Sequence, residues 1–394
     1  MSSDYLMNTY ARLPVAFERG EGAWLWDLHG KKYLDAISGL GVTALGHAHS
    51  EITAVIAEQA GILMHTANLA HIPWQQKLAE KLCQLANMDK AFIANSGAEA
   101  VECALKIARL QGHQRGIEFP RIAVTNGAFH GRTLATISAT DNKKLQRGFE
   151  PLVQGFIHLP YGDAAAFENA LQNNPALCAI LLEPIQGETG VVLPPPAYFK
   201  KLRELCDQYQ VLLICDEIQA GMNRTGTWFA FQHEEILPDI VTLAKALANG
   251  LPIAACLARA DAASAFQPGS HGSTFGGNPL ACRTACTVVD IMQRDRIGEN
   301  AASIGGWLLQ QFQQTLDGVT GVVEVRGRGL MLAIELDHSA IEIRNKALDL
   351  GVLINVTHEK IIRLLPPLIL DIAQAQLLLD TVSGIIIEAA DKHP

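Results

Sequence analysis

Nowhere in the chain do about 18 apolar residues run together without a charge, and the opening stretch MSSDYLMNTYARLP has no apolar core of the secretory kind. No membrane partner is therefore expected, and the expected location is the cytoplasm. Paired cysteines are missing too: the eight cysteines include no C-x-x-C and no Cys/His spacing of the zinc type, so no metal site is expected. Cys178, Cys215 and Cys256 fall inside apolar runs, where a free thiol behaves as a small hydrophobe, as suits a reducing compartment. Positive charge is in deficit, with 31 Lys and Arg against 40 Asp and Glu for a net charge of −9. That balance argues against a nucleic-acid partner, whose phosphates call for a basic face. It does not argue against small anions, which need only a local cation. Internal repeats and low-complexity tracts are also lacking.

What is there is a composition rich in core residues, 49% hydrophobic over 394 positions, too long for one ordinary core and so read as two domains. GAWLWDLHGKKYLDAIS (22–38) alternates like a hairpin turning at HGK, and SEITAVIAEQAGILM predicts a helix capped by Ser50. From Lys90 onward, strand and helix patterns alternate as parallel β/α units do. RIAVTN, CAILLEPI, VLLICDEI, IVTLAKAL and PIAACLA are the strands; EAVECALKIARL and PAYFKKLRELCDQY are the clearest helices. After NPLACRTACTVVDIMQ the character changes to a long helix, the glycine-turned hairpin VVEVRGRGLMLAIEL, a short helix, the strand KIIRLLP and a final amphipathic helix. The expected fold class is α/β: a large domain (51–290) around a mostly parallel central sheet, with a smaller α+β domain built from 1–50 and 291–394.

Three features carry chemistry. In VLLICDEIQAGMNRTG (211–226) an apolar strand ends in Asp216, whose burial would raise its pKa unless a cation lies opposite. In ANSGAEAVECALKIARL, Ser96 and Glu99 have the spacing of an ordinary capping box. Gly97 and Ala98 would also let an anion approach the N–H groups of the first turn, where the helix dipole favours it. Lys245 ends the strand in IVTLAKALANGLP; such a lysine is commonly solvated, but desolvated in a cleft it becomes a nucleophilic amine that condenses with aldehydes. Singly, none of these decides. Together an amine, an anion site and a carboxylate match pyridoxal 5'-phosphate, which presents an aldehyde, a phosphate and a ring nitrogen. His47 and His49 of GHAHSE lie far from any matching cluster and read as structural.

The motifs RGEGAWLWDLHGKKYLD, ALGHAHSEI, NSGAEA, AFHGRT, EPIQGETGV, CDEIQAGMNRTG, AKALANG, GSHGSTFGGNPLA and IIRLLPPL follow one another along almost the whole chain. In order and spacing the sequence resembles the class III pyridoxal-phosphate aminotransferases, and within them the branch acting on N2-acetylornithine. The resemblance implies the fold-type-I architecture and a homodimer with shared active sites. Lys245 is then the Schiff-base lysine and Asp216 the partner of the ring nitrogen. Ser96, Gly97 and Ala98 hold the phosphate, Phe129 stacks on the ring, and Glu217, Ile218 and Gln219 complete the cofactor contacts, Gln219 toward the phenolic oxygen. Thr274 reaches the phosphate of the neighbouring subunit's cofactor, with Ser273 near the substrate. Two runs depart from the family pattern: DAISGLGV, and Asn223 where glycine is common. The first bears on the shape of the substrate mouth.

The same resemblance implies two carboxylate sites, Arg132 and Arg363, guanidinium being suited to bidentate pairing. Glu188 would cover Arg363 while an ω-amine binds and release it for glutamate. The expected reaction is ping-pong transfer of the δ-amino group of N2-acetylornithine to 2-oxoglutarate, yielding glutamate, in arginine biosynthesis. Succinylornithine, succinyldiaminopimelate, ornithine or 4-aminobutyrate as the donor, or an aminomutase on the same fold, remain alternatives.

Overall fold

The computed structural model describes residues 5–391, so the ends of the expected segments 1–50 and 291–394 lie outside the described residues. A seven-stranded sheet runs in the spatial order Lys90–Ala94, Ala254–Ala258, Ile240–Leu243, Leu212–Asp216, Leu177–Leu182, Arg121–Thr125, Phe156–Leu159. The last five are mutually parallel. Ala254–Ala258 is antiparallel to both of its neighbours, so PIAACLA is the reversed strand among the expected parallel units. The reason is the connection: only residues 244–253 join it to Ile240–Leu243, with one short helical turn at Lys245–Ala248. A parallel crossover needs a longer link.

Strand residues alternate between two cores, as period-two geometry requires. Ile122, Val124, Ala179, Leu181, Leu212 and Ile214 face one core, where the helix Gly97–Gln114 lays Val101, Ala104 and Ala108. Ala123, Ile180, Leu182, Leu213 and Cys215 face the other. Each Val, Leu or Ile among them, fully buried, contributes about 1.5–3 kcal/mol. Both faces being covered explains why these strands read as unbroken apolar runs.

Two four-stranded sheets flank this body. One joins Phe17–Glu21, Trp24–Asp27 and Lys32–Asp35 to Val352–Leu353 near the other end of the chain, the last pairing parallel. The other joins Val322–Arg328, Met331–Leu336, Ile361–Leu364 and Asn355–Thr357. The expected glycine turn of its hairpin is present. A Cβ on Gly329 (φ +56°) would stand 2.6 Å from the carbonyl oxygen of Arg224. Arg224 is itself buried, donating through Nη1 to the carbonyls of Leu330 (2.9 Å) and Pro366 (2.6 Å); burial lowers its pKa to about 9. The closing helix, Ile372–Asp391, has the length and apolar content of a membrane span, but Leu378, Leu379, Val382, Ile385 and Ile386 are buried in the core.

Two caps differ from expectation. Ser50 is the first helical residue of Ser50–Ile62, and His49 takes the cap position with no side-chain bond. Ser96 does cap Gly97–Gln114, its Oγ accepting from the Glu99 N–H at 3.3 Å. The Glu99 carboxylate, however, accepts from the N–H of Asn95 (2.7 Å) and not from that of Ser96, so the reciprocal half of the box is displaced by one residue.

Candidate active site

In an open α/β sheet the strand ends leave a crevice beyond their carboxyl edge. Here Arg121–Thr125, Leu177–Leu182, Leu212–Asp216 and Ile240–Leu243 all release their loops on that edge, and so does Lys90–Ala94. The reversed strand brings its entry, residues 250–253, to the same place. A cavity of about 330 Å³ results, lined among others by Ser96, Gly97, Ala98, Phe129, Asp216, Ile218, Gln219 and Lys245. Eight of the sequence-derived candidates thus meet in one cleft. Val42, from the run DAISGLGV, lines it too.

Lys245 is held at φ +42°, in the left-handed region that a side-chain-bearing residue seldom adopts. Burial lowers its ammonium pKa, and the nearby Glu188, Glu183 and Asp216 only partly offset this. Its amine makes no hydrogen bond among the described residues. On the adjacent strand Asp216 is 3% exposed. Its Oδ1 accepts from Thr242 Oγ1 (3.1 Å) and the Ile218 N–H (3.2 Å), while Oδ2 lies 2.7 Å from His130 Nδ1. His130 Nε2 is buried and finds no partner among the described residues. A second carboxylate, Glu183, lines the same cavity; burial raises its pKa to about 7, with His130 opposing.

Arg363 and Glu188 lie outside the cavity lining and are joined to it through Gln219, which lines the cavity and bonds both. Arg363 Nη1 donates to Glu188 Oε1 (2.7 Å), Gln219 Oε1 (3.1 Å) and the Gly187 carbonyl (2.9 Å), and Asn355 Oδ1 receives Nε and Nη2. Gln219 Nε2 donates to the same Glu188 oxygen at 3.1 Å. Burial alone would raise the Glu188 pKa, but Arg363 and Lys245 more than reverse this and hold it below the usual carboxylate range.

Glu217 is a correction. Its side chain turns away from the cleft and accepts the N–H groups of Ala230 (2.9 Å) and Phe231 (2.8 Å). Successive residues at a strand end point to opposite faces, so with Asp216 facing in, Glu217 faces out. Three further candidates lie outside the cavity lining. Arg132 is exposed, its guanidinium carbon 5.7 Å from the Phe129 ring centroid. Ser273 Oγ bonds Asn95 Nδ2 (3.1 Å), and Thr274 is exposed on the glycine-rich loop. Sequence reasoning passed over His130 and Glu183, although both sit inside the quoted motifs AFHGRT and EPIQGETGV. Among the described residues no cluster of three or more His, Cys, Asp or Glu could hold a metal, and His47 Nε2 is bonded to Asp35 at 2.8 Å.

An amine of lowered basicity, a buried carboxylate and an open helix amino terminus around one crevice define an enzyme built for a phosphorylated carbonyl cofactor. The sequence model of "Aminotransferase class-III" matches residues 5–386. The acetylornithine aminotransferase of Nitrosomonas europaea is 50% identical over 97% of both chains. Among solved structures, the acetylornithine aminotransferase of Elizabethkingia anophelis superposes with a TM-score of 0.88 at 35% identity, over 98% of this chain and 97% of that one. An ornithine aminotransferase of Toxoplasma gondii, with pyridoxal phosphate partly occupying its active site, gives 0.96 at 33% identity over 99% and 93%. The chain belongs to the class III aminotransferase family and is a pyridoxal-phosphate-dependent transaminase.

The residues present fit that cofactor. Gly97 lies so close to Ile218 that a Cβ would come within 2.8 Å of its Cδ1, leaving the first turn of the helix bare for an anion. Lys245 offers an unengaged amine beside a buried carboxylate already oriented by His130 and Thr242.

Proposed function

We propose that the chain transfers the δ-amino group of N2-acetyl-L-ornithine to 2-oxoglutarate, giving N-acetylglutamate 5-semialdehyde and glutamate, as a step of arginine biosynthesis. The observation that carries this reading is the covered arginine. A donor whose carboxylate is remote from its reacting amine needs no cation deep in the cleft, whereas 2-oxoglutarate brings a carboxylate next to the reacting carbon. Arg363, neutralised by Glu188 at 2.7 Å, suits both in turn. Relatives that bear the acetylornithine aminotransferase name support the choice of donor.

Lys245 Nζ would hold the cofactor's aldehyde, Asp216 its ring nitrogen, Ser96, Gly97 and Ala98 its phosphate, and Phe129 and Ile218 its ring faces, with Gln219 at the phenolic oxygen. When bound, pyridoxal phosphate supplies an aldehyde that takes up the amino group and a ring that spreads the charge left on the substrate carbon. Lys245 Nζ, more readily neutral because it is buried, takes the proton from the amine-bearing carbon of the substrate. Arg132, exposed at the mouth, receives the donor's remote carboxylate. Glu188 keeps Arg363 paired during that half-reaction and yields it to the near carboxylate of 2-oxoglutarate in the next.

The functional unit we infer is a cytoplasmic homodimer. Segments 62–69 and 273–280 are stitched together, Asn68 Nδ2 donating to the carbonyls of Ser273 and Gly276, both at 3.0 Å. Met64, Leu69 and Phe275 stand exposed on them, and exposed apolar surface of this kind marks an interface. We take the exposed Thr274 to belong to it and to serve the partner's cofactor. Within each subunit we take 51–290 as the large domain and 1–50 with 291–394 as the small one, in keeping with the pairing of Lys32–Asp35 with Val352–Leu353.

The test is an absorbance titration of the purified protein. The cofactor's visible band should bleach on adding N2-acetylornithine and return on adding 2-oxoglutarate. A protein whose band ignores N2-acetylornithine but responds to ornithine or a succinylated donor would reassign the donor. One that takes up no pyridoxal phosphate would remove the basis for the site.

A further inference from the structure

Two loops meet beside the cleft. One, residues 126–131, carries Phe129; the other, 183–190, carries Glu188 and begins with Glu183, which is 5% exposed. Glu183 Oε1 accepts the Phe129 N–H at 2.9 Å, and its Oε2 accepts the Gly187 N–H at 3.1 Å. The seam continues on both sides. Gln186 Nε2 donates to the Asn126 carbonyl (2.8 Å) and Thr125 Oγ1 (3.1 Å), and Thr189 Oγ1 donates to the Gly127 carbonyl. The carbonyl of Gly187 in turn accepts Arg363 Nη1.

We propose that Glu183 is a positioning residue that locks the loop carrying Phe129 to the loop carrying Glu188, so that the ring-facing aromatic and the switch over Arg363 keep one fixed relation. The inference rests on the roles proposed above for Phe129 and Glu188. A carboxylate, the form Glu183 takes as pH rises through about 7, offers acceptors on both oxygens to two N–H groups at once. With Gly187 pinned by Glu183 and its carbonyl still holding Arg363, releasing the arginine needs only a side-chain swing of Glu188. The loop stays in place, Arg363 keeps its orientation while a substrate carboxylate replaces Glu188, and Phe129 is undisturbed.

Glu183→Gln tests this in the holoenzyme, because one of its two N–H acceptors becomes a donor. The two half-reactions are followed separately by cofactor absorbance, alongside the visible circular dichroism of the bound cofactor and a thermal melt. The apparent dissociation constant for 2-oxoglutarate should rise roughly tenfold and that for N2-acetylornithine by less than about twofold, as expected for losing one charge-assisted hydrogen bond on the Arg363 side. The dichroism of the cofactor should change in the same variant, because the one remaining side-chain oxygen no longer ties the Phe129 loop to the Gly187 loop. Thr189→Val, which opens the seam without altering any carboxylate, should shift the same ratio in the same direction by a smaller factor, and it carries the test alone if Glu183→Gln does not fold. Equal losses in both half-reactions accompanied by a lower melting temperature would mean general support only and overturn the proposal. So would an unmoved ratio in both variants when wild-type protein completes both half-reactions. Wild-type protein that passes no amino group to 2-oxoglutarate would overturn the functional reading together with this one.

Discussion

At Lys245 two demands meet that a protein seldom imposes on one residue: a left-handed backbone and a buried amine. Alanine would keep the backbone strain but remove the buried amine, which does not stabilise the fold, so Lys245→Ala should leave melting unchanged or improved. Turnover should fall by roughly 10²–10⁴ or more, the range for a lost general base, with cofactor still bound non-covalently; steady-state rates and the absorbance of dialysed protein read both. The buried carboxylates give a pH signature. Burial raises Glu183 and Glu217 from the ordinary 4.5 to about 7. Between those values the folded chain holds protons that the unfolded chain has released, so their contribution is full below 4.5 and is lost as pH rises through about 7. Urea midpoints measured across that range should fall with pH, and less steeply in Glu217→Gln. Asp216 was legible because an apolar run that ends in a carboxylate is unusual. His130 and Glu183 were not. Their roles depend on contacts between separate loops, Glu183 working through backbone N–H groups that carry no residue identity.

Among the elements, the loop 183–190 leaves little room for change. A Cβ on Gly187 would stand 2.0 Å from Gln219 Oε1, and Gln219 cannot retreat without leaving both Glu188 and Arg363. Gly187→Ala should therefore cost about 1–3 kcal/mol, as overpacking does, and weaken the Glu188–Arg363 pair as well; denaturant unfolding and the KM for 2-oxoglutarate measure the two effects. The buried strands were readable from composition, and the helix Gly97–Gln114 from its cap and period. The direction of Ala254–Ala258 was not, since its apolar run is the same read either way and only the shortness of the preceding connection betrays the reversal. Ser50 misled for a related reason: a serine before an apolar period suits the cap and the first helical position alike, and backbone angles decide between them.

For the molecule as a whole, the exposed Met64, Leu69 and Phe275 beside Thr274 lead to a mass prediction. Light scattering should return twice the chain mass of 42.6 kDa. Phe275→Glu should shift the population toward single chains and weaken cofactor retention with it; a fully active single chain would refute the shared site.

The eight thiols, all free, have a practical consequence. Seven are buried and Cys83 is half-covered, spread over strands on both faces of the sheet and over the helices packed against them. A sulfhydryl reagent offered to the native enzyme is therefore a stopwatch for breathing. Each of the seven buried sulfurs is marked only when its own neighbourhood opens, and the order in which they are captured after Cys83 would rank the parts of the molecule from loosest to most durable without a single substitution.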